Sequence, residues 1–144
     1  MKKILCSLLA AILVLCMPGC AKQKKSAENN NVFTDAFFSD VVEIRDTRFG
    51  VVSAEQMEPV VQYLKGLTLT ASDTYLTTVD EDGEILYGGD AITFLKSNGE
   101  QVIFLRNHAK FSIFNVCSYV VSDGENINIG LKNAYSQAIN KSAG

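Results

Sequence analysis

Ala91-Ile-Thr-Phe-Leu-Lys-Ser-Asn-Gly-Glu-Gln-Val-Ile-Phe-Leu-Arg106 is the stretch that decides the fold class. Two runs rich in β-branched and aromatic residues flank Asn98-Gly99. An Asn-Gly pair accepts positive φ at both central positions, as the tight turn of an antiparallel hairpin demands. Side chains alternate between the faces of a strand. Ile92 and Phe94 on the first run, and Ile103 and Leu105 on the second, are therefore expected to form the inward sets.

The same pattern extends on both sides. Strands are expected over 74–79, 84–87, 111–116 and 118–121, with Asp80-Glu81-Asp82-Gly83 as one turn and residues 107–110 as a softer one. Residues 67–121 thus read as a β-meander. Ahead of it, Val41-Val42-Glu43-Ile44-Arg45 alternates and reads as a first strand. Residues 46–50 turn the chain, with Gly50 suited to a positive φ, and Val51 and Val52 begin a second short strand.

Two helices bracket the meander. Ser53-Ala54-Glu55-Gln56 has the form of a capping box, flanked by Val52 and Met57 as a hydrophobic staple. Met57, Val60, Val61 and Leu64 follow helical spacing, and Gly66 is placed to stop the helix. Pro59 conflicts with a helix interior, where it would cost about 3 kcal/mol. Either the first turn is irregular or the regular helix begins near Glu58. A second helix is expected over 126–141, with Ile127, Leu131, Ala134, Tyr135, Ala138 and Ile139 as its apolar stripe and Gly130 as a weak point. A sheet with one face to cover and two amphipathic helices to cover it gives an α+β class: an antiparallel meander with both helices on one face.

The N-terminal segment has a different character. Lys2 and Lys3 precede an apolar run over residues 4–16, the form of a signal peptide. The run is shorter than the roughly twenty residues that cross a bilayer. Met17-Pro18-Gly19-Cys20 follows at once and resembles the bacterial lipobox, in which a small residue precedes a cysteine. The resemblance implies diacylglycerol attached to Cys20 through a thioether, cleavage between Gly19 and Cys20, and acylation of the new amino group. Two or more acyl chains hold a protein stably on a membrane, where one gives only marginal binding. Ordinary cleavage after Ala21 and retention as an uncleaved anchor are the alternatives.

The expected organisation is a lipoprotein signal over residues 1–19, a lipidated cysteine with a disordered tether over 20–40, one α+β domain over 41–141, and a frayed end over 142–144. Residues 21–31 are polar and lack apolar periodicity. Lys22, Lys24 and Lys25 would lie next to the membrane, where anionic headgroups attract each by about 1 kcal/mol; the alternative is a solvated spacer. Phe33, Phe37 and Phe38 permit either a short helical turn on the domain or a mobile aromatic segment. The layout of residues 41–141 resembles the small α+β domains of uncharacterised lipoproteins of low-GC Gram-positive bacteria. It rests on element order and implies a fold and an extracytoplasmic address, with no activity attached.

Charge and cysteine usage narrow the function classes. Losing Lys2 and Lys3 with the signal takes the net charge from −3 to −5. That mild acidity lacks the clustered Lys and Arg of a nucleic-acid surface. Cys6 and Cys16 leave with the signal and Cys20 takes lipid, so Cys117 is the one remaining thiol and no internal disulfide is expected.

No constellation of catalytic type stands out. His108 is the single histidine, in the polar turn Asn107-His108-Ala109-Lys110, and reads as a surface turn residue. A zinc site needs three or four ligands. Cys117 lies in the apolar run Val116-Cys117-Ser118-Tyr119 and reads as a buried small side chain; as a nucleophile it would need a base such as His108. Asp80-Glu81-Asp82-Gly83-Glu84 has the acidity of a calcium loop, with Asp73 or Asp90 as distant helpers. Ala91 stands where an EF-hand needs its far carboxylate, so a solvated hairpin turn is expected. Gly88-Gly89-Asp90 lacks the lysine of a phosphate loop and reads as a strand break. No catalytic residue, metal or cofactor is assigned.

The expected function is a lipid-anchored extracytoplasmic binding or interaction module. Its working surface is the sheet face away from the helices, offering Tyr75, Tyr87, Phe111 or Tyr119, or else the loops. The alternatives are an accessory structural subunit of a cell-envelope complex, an inhibitor domain, and a hydrolase using Cys117 with His108 or the acidic turn with a metal.

Overall fold

The computed structural model describes residues 29–76, 78–79, 85–86, 90–113, 116–122 and 124–143. The elements are α1 (Asp35–Phe38), β1 (Val41–Asp46), β2 (Gly50–Ser53), α2 (Glu58–Lys65), β3 (Leu69–Ala71), β4 (Thr78–Val79), β5 (Ile85–Leu86), β6 (Asp90–Lys96), β7 (Gln101–Arg106), β8 (Lys110–Ile113), β9 (Cys117–Val121) and α3 (Ile127–Ser142). Seven strands form one antiparallel sheet in the order β2-β1-β6-β7-β8-β9-β3, and β4 and β5 form a separate pair. With three helices among the described residues, the chain is an α+β fold.

The meander from β6 to β9 forms from consecutive hairpins, as their turn residues predict. The register of the deciding hairpin differs from the expected one. Lys96 N–H donates to Glu100 O at 2.9 Å and Gly99 N–H to Lys96 O at 2.9 Å, closing a three-residue loop, Ser97-Asn98-Gly99. Gly99 takes φ +85, the left-handed position that such a loop requires. A two-residue loop would set Ile92 opposite Leu105; the extra loop residue sets it opposite Phe104, and Phe94 opposite Val102. A one-residue shift exchanges the faces of a strand. Phe104 is therefore the inward residue of β7 and Ile103 points out, 46% exposed.

The structure corrects the expected strand over 74–79. Leu76 N–H donates to Ser112 Oγ at 2.8 Å, and Thr74 O accepts from Ser118 Oγ at 2.7 Å and Lys110 Nζ at 3.0 Å. Side chains from β8 and β9 satisfy this backbone, so it needs no partner strand. Among the described residues of this range, 78–79 form a strand, and they pair with β5 outside the seven-stranded sheet. The strand β3, unmarked in the sequence, joins the far edge beside β9.

The helix ends follow their chemistry. Pro59 sits in the first turn of α2, where its missing N–H has no cost, and Ser53 and Gln56 form a turn before the helix. Gln56 Oε1 accepts from Ser53 N–H at 3.3 Å, one half of the expected box. Asn126 caps α3 by accepting from Asn128 N–H at 3.0 Å. Ile139, expected in the apolar stripe, is exposed. It lies about 100° round the helix from the buried Ala138. Helix α3 runs on to Ser142, one residue beyond the expected boundary.

Residues 29–40 belong to the folded body and not to the tether. Phe33 is buried at the centre of an aromatic cluster, with ring centroids 5.6 Å from Phe37, 5.7 Å from Phe94, 5.4 Å from Phe104 and 5.2 Å from Phe111. Thr34 caps α1 by accepting from Phe37 N–H, and Phe38 is buried too. Each aromatic side chain removes a large apolar area from water, which sequence position alone does not reveal. Val60, Leu64, Ile127 and Leu131 share this core with Ile44, Ile92, Phe94, Phe104, Phe111 and Tyr119 of the sheet.

Candidate functional site

Cys20 and Gly19, the expected lipidation and cleavage positions, lie outside the described residues, as do Asp80-Glu81-Asp82-Gly83-Glu84, Gly88, Gly89 and Tyr87. His108 is exposed in its turn, and its carbonyl accepts from Ile127 N–H at 2.9 Å. Cys117 is buried at the other end of the β8–β9 ladder, opposite Ile113, whereas His108 lies beyond Lys110. Lys110 and Ile113 are about 10 Å apart along the strand at the usual rise per residue. The fold therefore sets His108 and Cys117 at opposite ends of β8. Among the described residues no group of three His, Cys, Asp or Glu side chains is placed to hold a metal ion.

Phe111 and Tyr119 do not supply an outward aromatic surface. They are cross-strand partners on the core side and both are buried. The outward side of β8 and β9 carries Ser112 and Ser118, the residues that hold the segment around Thr74. Tyr75 is half-buried in that segment.

The strongest electrostatic feature was not marked by any motif. Arg106 and Asp46 are wholly buried, with Arg106 Nε donating to Asp46 Oδ2 at 2.7 Å and Nη2 to Oδ1 at 2.6 Å. Register explains the meeting. Asp46 stands opposite Ile92, and Asp90 opposite Arg106, so the three charged side chains share the core face at one end of the sheet. Arg106 Nη1 also donates to Asn128 Oδ1 in the first turn of α3 and lies 3.7 Å from Asp90, which pairs with Arg48 at 3.1 Å. Asp46 Oδ1 further accepts from Arg48 N–H and Phe49 N–H at 2.9 and 3.2 Å, shaping the β1–β2 turn. The Phe49 ring covers the guanidinium at 5.2 Å and meets the Tyr135 ring at 5.9 Å.

Two phenols lie near this pair, Tyr135 buried and Tyr63 half-buried. The Tyr135 hydroxyl is buried and makes no hydrogen bond among the described residues. Burial first, and then the Asp46 carboxylate, hold its pKa well above the ordinary 10.0, with Arg106 pulling the other way. Burial and then Glu125 do the same for Tyr63. The Tyr63 ring lies on Gly130, where an added Cβ would sit 2.1 Å from Cζ. The ion pair is saturated by protein groups and turned away from solvent, which makes it a clamp joining β1, β7 and α3. It offers no group to a substrate.

The outward face offers a surface instead. Register aligns Val51, Arg45, Thr93 and Ile103 in one row across β2, β1, β6 and β7. Val51 is 54% exposed and Ile103 46%. Glu43 pairs with Arg45 beside the row. An open cleft of about 300 Å³ lies elsewhere, lined by Ser53, Glu55, Gln56, Lys141 and Ser142. No helix among the described residues is long and apolar enough to cross a membrane.

The chain matches no family model, no curated protein and no solved structure.

Proposed function

We propose that this chain is a lipid-anchored interaction module displayed on the extracytoplasmic face of a cell membrane. Met17-Pro18-Gly19-Cys20, directly after an apolar run and two lysines, carries the reading. It supports cleavage between Gly19 and Cys20 and acylation of Cys20, which fixes the protein to the bilayer without a spanning helix. In the same reading α2 and α3 cover one face of the sheet, a placement supported by the core that Val60, Leu64, Ile127 and Leu131 share with the inward strand residues. The opposite face is then the contact surface. Val51 and Ile103 supply its apolar part, Thr93 lies in the same row, and the ion-paired Glu43 and Arg45 supply orientation. Exposed apolar residues ringed by charge suit a protein contact better than catalysis.

Metabolic labelling with a palmitate analogue tests the anchor. The wild-type chain takes up label and sediments with membranes, and Cys20→Ala does neither. Equal labelling of both chains would end the lipid reading. The contact surface is tested by capture from native membranes with purified protein and with Ile103→Asp. One stoichiometric partner recovered by the wild type and lost with the variant, at unchanged melting temperature, supports the module. Recovery that ignores the variant removes this face from the function.

A further inference from the structure

We infer that Asn29, Asn30 and Asn31 fasten the leader to the folded body, leaving at most residues 21–28 between the lipidated thiol and the fold, so that the body and any surface it presents are held within a fixed reach of the bilayer. The inference rests on the lipid-anchor reading of Cys20.

Three adjacent asparagines read by composition as spacer, yet here their polar groups are engaged with the fold. Asn31 Nδ2 donates to the carbonyls of Leu64, Lys65 and Leu67 at 2.8, 3.1 and 2.8 Å. These surround the C-terminal end of α2, where helix carbonyls lack intrahelical partners. Asn31 Oδ1 accepts from Phe33 N–H at 2.8 Å and so aims the chain into the aromatic core. Asn29 Oδ1 accepts from Leu69 N–H at 3.0 Å, and Asn30 N–H donates to Leu69 O at 2.9 Å. The leader thus covers the outer edge of β3 and caps α2 together.

The fastening sets a reach. Nine peptide steps separate Cys20 from Asn29, and fully extended they cover about 30 Å. Had the chain first joined the body at Val41, the limit would be about 70 Å. The opposite edge of the sheet, β2, lies six strand spacings from β3, or about 29 Å. No part of the sheet then stands much more than about 60 Å from the bilayer. A partner must present its binding surface inside that layer.

The test uses the full lipidated protein in phosphatidylglycerol vesicles carrying an acceptor dye at the headgroups, with a donor on Asn98→Cys. Transfer is expected to be strong in this protein. It falls at least twofold when sixteen Gly-Ser residues are inserted after Ala27, an insertion that leaves the asparagines intact. It also falls in Asn29→Ala/Asn31→Ala. Unchanged transfer on insertion would overturn the proposal, since something other than leader length would then hold the body down. Amide exchange of the same protein in detergent gives a readout independent of the bilayer. Phe33 and Leu69 amides are expected to exchange slowly, and at least tenfold faster in Asn29→Ala/Asn31→Ala. Fast exchange at both in the unsubstituted protein would overturn the fastening. Failure of the protein to sediment with vesicles would instead refute the anchor at Cys20 and leave the exchange result standing.

Discussion

Arg106 and Asp46 are joined by two hydrogen bonds, at 2.7 and 2.6 Å, with neither side chain open to solvent. They lie 60 residues apart in sequence and on strands separated by β6. Two parallel N–H to carboxylate bonds give this pair fixed geometry as well as charge compensation. Because Asp46 also shapes the β1–β2 turn and Arg106 also grips Asn128, one bidentate contact ties a local turn to the last helix.

Removing one member of the pair leaves an uncompensated buried charge. Asp46→Ala is expected to cost about 3–5 kcal/mol, and Arg106→Met a similar amount. Replacing both with apolar residues of matching volume is expected to cost much less than the sum, since a buried pair and a well-packed apolar pair are often close in stability. Urea unfolding of the two single variants and the double variant measures the coupling. Additive losses would contradict the pairing.

The aromatic leader is part of the core. Phe33→Ala is expected to destabilise by about 3–5 kcal/mol, the usual cost of emptying a buried aromatic site. A chain beginning at Val41 is expected to lose cooperative unfolding, whereas one beginning at Ala21 keeps it. Thermal melts followed by near-ultraviolet circular dichroism separate the two. Equal melting temperatures would return residues 29–40 to the tether.

Gly130 is fixed by a neighbour, not by its own backbone. Alanine in a helix interior is ordinarily favoured over glycine by about 1 kcal/mol. Here the added methyl would meet Tyr63 at 2.1–2.2 Å. Gly130→Ala is therefore expected to destabilise by about 1–3 kcal/mol, the range for overpacking. In a Tyr63→Ala background the same change becomes neutral or stabilising. A destabilisation that persists there would place the fault in the helix itself.

The two phenols predict an alkaline limit. Tyr135 and Tyr63 have folded-state pKa values above the ordinary 10.0 because burial disfavours phenolate. Their contribution is complete below the unfolded value and is lost as pH rises through about 10 and beyond, because the unfolded chain releases its protons first. The urea midpoint is expected to be flat with respect to these groups up to about pH 9 and to fall above it. Tyr135→Phe removes one ionisable group and a buried hydroxyl that has no hydrogen-bond partner among the described residues. It is expected to be nearly neutral at pH 7 and to flatten the alkaline fall. An unaltered alkaline slope would argue against burial as the cause.

Much of the fold was legible because its signals are local. Asn98-Gly99, Gly50 and Pro59 each fix a backbone conformation that few residues tolerate, and all three fall where a turn or a helix start is found. Burial of Val60, Val61 and Leu64 follows the helical period. The same local reasoning failed at Ile103, because it assumed a two-residue loop where the chain uses three. It failed again at Ile139, where the turn angle decides exposure and apolar character does not.

Sequence alone determined the punctuation of this chain: where strands turn and where helices start. Those properties depend on a residue and its near neighbours. Tertiary structure alone decided that β1 enters beside β6, that Asn29 and Asn30 bind the edge of β3 while Asn31 caps α2, and that Asp46 finds Arg106. Each requires groups distant in the chain to meet, and no residue type announces its partner before the sheet register brings them together.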